Sequence, residues 1–152
     1  MKTRKMMYLD TCIFVRVFLK ETDHEKVEKF LKDNQGDVDF VTSDWTLTEI
    51  VKVLIKDKKE SPKKVSEYVQ KLIRTSRLGE IRFEFLKMST KENYDFGDFF
   101  YDVQNMLLKY KGSLGDAIHT VIMMNRNIKT IVSTDSEFEG RKGILIINPL
   151  KL

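Results

Sequence analysis

Short apolar runs alternate with stretches of helical period from one end of this chain to the other, and few folds accommodate that order. Residues 6–9 form a short buried run ending at Asp10. Residues 22–33 carry Val27, Phe30 and Leu31 at helical spacing, with Thr22 or Asp23 as N-cap. A second apolar run covers 38–41. From Ser43 onward, Leu47, Ile50, Val51, Leu54 and Ile55 recur with helical period. Ser61-Pro62 opens a further helix bearing Val65, Val69, Leu72 and Ile73, with proline at an early helical position. Residues 81–86 alternate apolar and charged side chains, as a strand does. An aromatic-rich helix is expected over 91–110 and a helix apolar almost all round over 115–126. Runs 128–132 and 144–147 are the last expected strands. This alternation predicts an α/β fold, an α/β/α sandwich in which helices cover both faces of a parallel sheet.

No repeat, low-complexity tract or linker interrupts the pattern, so residues 1–152 read as a single domain. At 41% apolar residues the chain has material for a core, which excludes a disordered class. No apolar run reaches the ~18 residues that span a bilayer, so no membrane partner is expected. The basic start MKTRKMMYLD lacks an unbroken apolar stretch behind it, because Asp10 and Arg16 intervene. It therefore does not read as a signal peptide. The lone Cys12 excludes an internal disulfide and a cysteine-only zinc site. These features fit a cytoplasmic protein.

The acids carry the chemistry. In a parallel sheet, ligands bind beyond the carboxyl ends of the strands. Asp10 and Asp135 each follow a predicted strand, so neighbouring parallel strands would project both into one crevice. Each also has a plainer reading, Asp10 as an N-cap and Asp135 as a turn residue. Asp116 opens the apolar helix GDAIHTVIMM, where the helix dipole favours a carboxylate. It too has an N-cap reading. His119, one turn on, reads as a satisfied structural residue ahead of a ligand. Glu49 is placed by its helical wheel near Lys52 and Lys56, opposite the apolar face, and the pattern leaves surface and cleft both open. Asp95, Asp98 and Asp102 form a stripe along one helix face, which reads as solvated because one helix cannot surround an ion.

The formal charge of +4 is a mild bias towards polyanions. It sharpens if several acids are gathered in one site. Lys52, Lys56, Lys58, Lys59, Lys63 and Lys64 crowd the turn between two expected helices, with Arg74 and Arg77 beyond. Lys52, Lys56, Lys63 and Lys64 are the candidate phosphate-binding residues of this footprint, for whatever polyanion the chain takes. A merely solubilising surface is the alternative.

Taken together, LDTC with Asp10, TSDWTLTEIVKVL with Glu49, LGDAIHTVIMM with Asp116 and IVSTDSEFEG with Asp135 resemble the PIN domain, the nuclease fold of VapC-type toxins. The resemblance runs over nearly the whole chain to the closing IINPL. Cys12 departs from it, standing where the family more often has Ser or Asn, and 91–112 is aromatic-rich and long. What the resemblance implies is an acidic cluster of Asp10, Glu49, Asp116 and Asp135, with Thr11, Ser133 and Glu137 as auxiliary residues near it. It also implies a Mg²⁺- or Mn²⁺-dependent endoribonuclease cleaving single-stranded RNA, a toxin with a small antitoxin partner and a homodimeric state. RNA processing, or RNA binding without catalysis, is the alternative within the same fold.

This chemistry suits the residues. Phosphodiester cleavage needs a nucleophile and a counter to growing negative charge, and a bound divalent ion supplies both. Mg²⁺ takes oxygen ligands, and Mn²⁺ suits the same donors. Carboxylates packed together repel, and a cation removes that conflict. Asp10, Asp116 and Asp135 are expected to hold the metal and Glu49 to position a second ion or a water. A haloacid-dehalogenase-type phosphatase would need an acid two residues after Asp10, where Cys12 stands. A phosphoacceptor receiver would need a lysine after a late strand. Lys142 is available, but the order Glu49 then Asp116 suits that fold poorly. Phe14, Phe18, Phe99, Phe100 and Tyr101 read either as core or as partner surface.

Overall fold

The computed structural model describes residues 3–87 and 94–152. Five strands form one sheet, β1 (Lys5–Leu9), β2 (Val38–Ser43), β5 (Glu84–Leu86), β6 (Thr130–Val132) and β7 (Leu145–Ile147). Their spatial order is β5-β2-β1-β6-β7 and every pairing is parallel. Among the described residues six α-helices flank them: α1 (Thr11–Leu19), α2 (His24–Asn34), α3 (Asp44–Lys52), α4 (Pro62–Thr75), α5 (Phe96–Lys109) and α6 (Leu114–Asn125). Among the described residues no helix is long and apolar enough to cross a membrane.

The pleat of the central strand explains the two layers. Successive side chains of a strand point to opposite faces. Met7 and Leu9 face a core built with Ile13, Phe14, Val27, Leu31, Ile50 and Leu72 from α1 to α4. Tyr8, between them, faces the other core, made largely by α5 and α6 through Phe99, Val103, Ile118, Val121 and Ile122. Both strand neighbours of β1 repeat the division: Phe40 and Val132 join the first core, Val41 and Ile131 the second. Helix α6 is buried over Gly115–Met123, as its all-round apolar sequence requires.

Some boundaries differ from the sequence expectation. The expected strand 81–86 is two pieces. Phe83 N turns away to bond Ser76 O at 3.0 Å, so β4 (Ile81–Arg82) forms a small hairpin with β3 (Arg77–Leu78), and only β5 joins the main sheet. The expected helix 91–110 is α5 from Phe96, capped by a reciprocal Asp95–Asp98 box; residues 91–93 lie outside the described residues. Asp23 does stand at the N-cap of α2, but with φ +61 and no side-chain cap bond. Phe14 and Phe99 are core, whereas Phe100 and Tyr101 are exposed.

The chain runs from β1 outward to β2 and β5, then returns to β6 on the other side of β1 and continues to β7. The strand order therefore reverses between β1 and β6. A crevice opens at the carboxyl end of such a switch point. Asp10 and Ser133 are the first residues beyond those two strands, and Asp10 N bonds Val132 O across the gap at 3.1 Å.

Candidate functional site

Asp10, Thr11, Glu49, Asp116, Asp135 and Glu137 line one cavity of about 250 Å³ at this switch point. Four chain segments deliver them. The end of β1 gives Asp10, α3 gives Glu49, the first turn of α6 gives Asp116, and the loop after β6 gives Asp135 and Glu137. The sequence-predicted acids thus share a single cleft. The expected RNA-binding residues Lys52, Lys56, Lys63 and Lys64 are exposed and are not among the cavity's lining; Lys58 is.

Asp10 is both N-cap and cavity acid. Its Oδ1 accepts from Thr11 N at 2.8 Å, and its Oδ2 accepts from Ser133 Oγ at 2.7 Å and from the Cys12 thiol at 3.4 Å. Burial pushes its carboxyl above the ordinary value, against the opposing pull of His119 and the Ser133 hydrogen bond. Ser133 Oγ also accepts from Asp135 N at 3.0 Å, which ties the two strand-end acids to one hydroxyl. The Cys12 thiol is driven upward by burial and by the Asp10 charge, so it is a neutral thiol in the metal-free protein.

Asp116 is not the N-cap of α6. Ser113 caps the helix, and Asp116 is the third-residue partner of a reciprocal capping box, its Oδ2 accepting from Ser113 N at 3.0 Å. Gly112, with φ +141, lets the loop lie against this carboxylate; a Cβ there would meet Asp116 Oδ2 and the Arg141 guanidinium. Arg141 is buried, donates from Nη1 to Thr120 Oγ1 at 2.7 Å and stacks near Tyr110 and Phe138. Partial burial works to raise the Asp116 carboxyl. The hydrogen bond from Glu137, those from Ser113 and the Arg141 charge outweigh it and hold the group below its ordinary value. Glu137, bonded to Asp116, is pushed up to about 7 by that shared hydrogen bond, by burial and by the neighbouring acids. The two carboxyls titrate as a pair, with Glu137 the one raised toward neutrality and Asp116 the one held low.

Glu49 faces the cleft, not open solvent, with 23% of its side chain exposed. Oε1 accepts from Thr11 Oγ1 at 2.8 Å and from His119 Nε2. His119 is 1% exposed, and its Nδ1 lies 2.6 Å from the Tyr8 hydroxyl, which donates to Ser43 Oγ at 2.7 Å. The ring thus sits with Nδ1 facing the Tyr8 hydroxyl and Nε2 facing Glu49. Burial works to lower the His119 pKa, but the hydrogen bond and charge of Glu49, then Asp10 at 3.9 Å and Asp116, raise it. Burial likewise works to raise Glu49, and His119 and Thr11 hold it low. His119 thus touches a site acid directly, beyond the structural role read from its sequence.

The model matching the chain is that of the PIN domain, over residues 7–143. The chain belongs to the PIN domain family. No curated protein matches it in sequence. Among solved structures, this PIN domain is similar to VapBC2 from Rickettsia felis bound to a promoter DNA fragment, at 18% identity and a TM-score of 0.64, covering 94% of this chain and 98% of that one. DNA-bound VapBC from Salmonella typhimurium follows at 22% identity and 0.58, covering 97% and 99%. VapC20 of Mycobacterium tuberculosis, a sarcin-ricin loop cleaving toxin, gives 15% identity and 0.56, covering 89% and 91%. At these identities the likeness is one of fold.

The donor chemistry of this PIN domain's cleft fits a hard divalent ion. The cavity acids offer oxygen only, and Asp116 and Glu137 stand close enough that their charges oppose each other, a conflict a cation relieves. As they stand, no three of the described His, Cys, Asp and Glu side chains form a set that could hold an ion. Asp10, Glu49 and Asp116 are instead engaged with Thr11, Ser133, His119, Ser113 and Glu137.

Proposed function

We propose that this chain is a Mg²⁺- or Mn²⁺-dependent endoribonuclease cleaving single-stranded RNA, the cytoplasmic toxin of a toxin–antitoxin pair. The observation that carries this reading is the gathering of six carboxyl groups from five segments into one cavity at the switch point of the sheet. A structural purpose does not require so many like charges together, since each costs desolvation and repulsion.

Asp10, Asp116 and Asp135 are the residues that hold the metal in this reading, with Glu137 beside Asp116. A divalent ion there supplies positive charge against the phosphate oxygens and a more acidic water. The chain's own residues prepare for it. Thr11 N, Ser133 Oγ and the Ser113–Asp116 box fix the carboxylates in orientation before any substrate arrives. Glu137 holds a proton that must leave when the ion binds. Glu49 Oε1 is anchored by Thr11 and His119, which leaves Oε2 to orient the attacking water.

The partner reading draws on the VapBC complexes among the similar structures. Here the candidate surface is the exposed apolar side of α5, with Phe96, Phe100, Tyr101 and Leu108. It serves a small antitoxin or a second copy of the chain.

The test is cleavage of a labelled single-stranded RNA in EDTA, Mg²⁺ or Mn²⁺, by wild type, Asp10→Asn and Asp116→Asn. Metal-dependent cutting lost in both variants is expected, with the fold retained by circular dichroism. Equal activity in both variants would sink the assignment. No cutting by folded wild type, and no acid-dependent Mn²⁺ uptake, would point to RNA binding without catalysis.

A further inference from the structure

The acidic cavity has one basic side chain among its described lining residues, Lys58. Its place there is not what helix geometry would give. An α-helix turns every ~3.6 residues, so Glu49 and Lys58 are separated by about two and a half turns, and an unbroken helix would set them on opposite sides. The chain does not continue α3 in that way. Val53–Asp57 is a π-helical turn, with Lys58 N bonding Val53 O at 3.0 Å and Glu60 N bonding Leu54 O at 2.9 Å. Lys59 then takes φ +57 and ends the turn. The wider turn re-aims Lys58 to the mouth of the cavity. π-helical turns are rare, which prompts the question of what this one, at the end of α3, serves.

Lys58 is also held in place. Its Nζ lies 2.8 Å from Glu21 Oε1, and Glu21, itself a lining residue, is approached on its other oxygen by Arg16 at 3.8 Å. Arg16 Nη1 donates to Thr22 O at 2.6 Å, so the whole connection between α1 and α2 is braced toward the ammonium. An exposed pair of this kind adds little stability. Its consequence is positional: a cation stands at the rim of a cleft whose floor is anionic.

We propose that Lys58 is a positioning residue that grips an RNA backbone phosphate at the mouth of the acidic cavity, with Glu21 holding the ammonium ready in the free protein. This rests on the nuclease reading above and names the contact by which that site takes its polyanion. A phosphodiester approaching the acids of the cavity meets repulsion, and an ammonium at the rim turns the approach favourable for the phosphate that lies against it. Glu21 exchanges for the phosphate as partner of the same Nζ. The neighbouring lysines add only a diffuse field.

The test compares Lys58→Met, Lys58→Arg and Glu21→Gln with Lys32→Met, which removes the same charge from the exposed face of α2. Binding of a labelled RNA is followed against salt in the Asp116→Asn background, and KM and kcat in the active protein with Mn²⁺. Lys58→Met is expected to lower the log–log salt slope by about 0.7 for one lost phosphate contact and to raise KM several-fold more than it lowers kcat. Lys58→Arg should restore most of both, and Glu21→Gln should tighten binding. If Lys58→Met has the slope and KM of Lys32→Met while wild type cuts RNA, the Lys58 assignment is overturned and the nuclease reading stands. If folded wild type shows no metal-dependent cutting, the nuclease reading falls and the grip falls with it.

Discussion

Glu49 Oε2 lies against the bare Cα of Gly115, so close that a Cβ at that position would overlap it. The acid from α3 thus reaches its place only because the first turn of α6 carries no side chain there. Gly115→Ala should leave the fold intact, since alanine is the better helix residue by up to about 1 kcal/mol. The clash falls on a side chain that can move, and moving it takes the carboxylate away from the cleft. The expected outcome is a fall in RNA cleavage of roughly tenfold or more, about 1.4 kcal/mol in barrier, with the fold retained by circular dichroism. Full activity in Gly115→Ala would show that Glu49 is not needed at its observed position.

His119 and Glu49 should be energetically coupled. Removing the ring leaves Glu49 without its strongest partner and the buried Tyr8 hydroxyl without an acceptor or donor on that side. His119→Leu is expected to cost about 1–3 kcal/mol by urea unfolding. A double-mutant cycle with Glu49→Gln should give a coupling of about 0.5–3 kcal/mol. The sign with pH follows from the raised His119 pKa. That contribution is fully present below the ordinary value of 6.5 and is lost as pH rises through the folded value. The stability gap between wild type and His119→Leu should therefore narrow on going alkaline. A gap that widens would contradict the raised His119 pKa.

Much of the site was legible as sequence, for physical reasons that differ by residue. Asp10 and Asp135 could be read because a strand end in a parallel sheet points at the ligand crevice whatever the neighbours are. Glu49 was not settled by its helical wheel. The wheel separates core from not-core, and a cleft at the sheet edge and open solvent are the same direction on it. The partners of His119 lie on β1 and α3, far away in the chain, and a lone histidine on an apolar helix carries no sign of them. Lys58 was indistinguishable from five neighbouring lysines because the π turn that selects it has no mark in the local pattern. The strand expected over 81–86 failed similarly: its alternation is right, but one backbone bond from Phe83 to Ser76 divides it.

Glu137 should make metal binding in the proposed site depend on pH. Its carboxyl is held at about 7 through the hydrogen bond with Asp116, so below that value an ion must displace a proton to enter. Mn²⁺ affinity should climb as pH rises through 7, with about one proton released per ion at pH 6. Glu137→Gln should flatten the climb. In the metal-free protein the sign for stability is the opposite. A carboxyl raised from 4.5 favours the folded state below 4.5 and ceases to do so as pH passes 7. Calorimetric titration at several pH values, in buffers of different ionisation enthalpy, reads the proton directly. An affinity that does not change between pH 6 and 8 would rule out Glu137 as the proton holder.

The exposed side of α5 should govern association. Leu108 is 82% exposed, Tyr101 65% and Phe96 64%, while Phe99 and Val103 on the same helix are buried in the second core. The helix is therefore apolar on two sides, which a lone surface helix has no reason to be. Burying a leucine fully gives roughly 1.5–3 kcal/mol, so a charge at this position should be felt in any complex that covers it. Leu108→Glu, with the side chain already in water, should leave monomer stability within about 0.5 kcal/mol. In sedimentation at micromolar concentration, wild type is expected to run as a dimer and Leu108→Glu as a monomer. If both run as monomers, the face is left for the antitoxin, and co-expression with a neighbouring small reading frame should give a complex that Leu108→Glu weakens. Equal dimerisation and equal antitoxin binding by the two proteins would remove α5 from both roles.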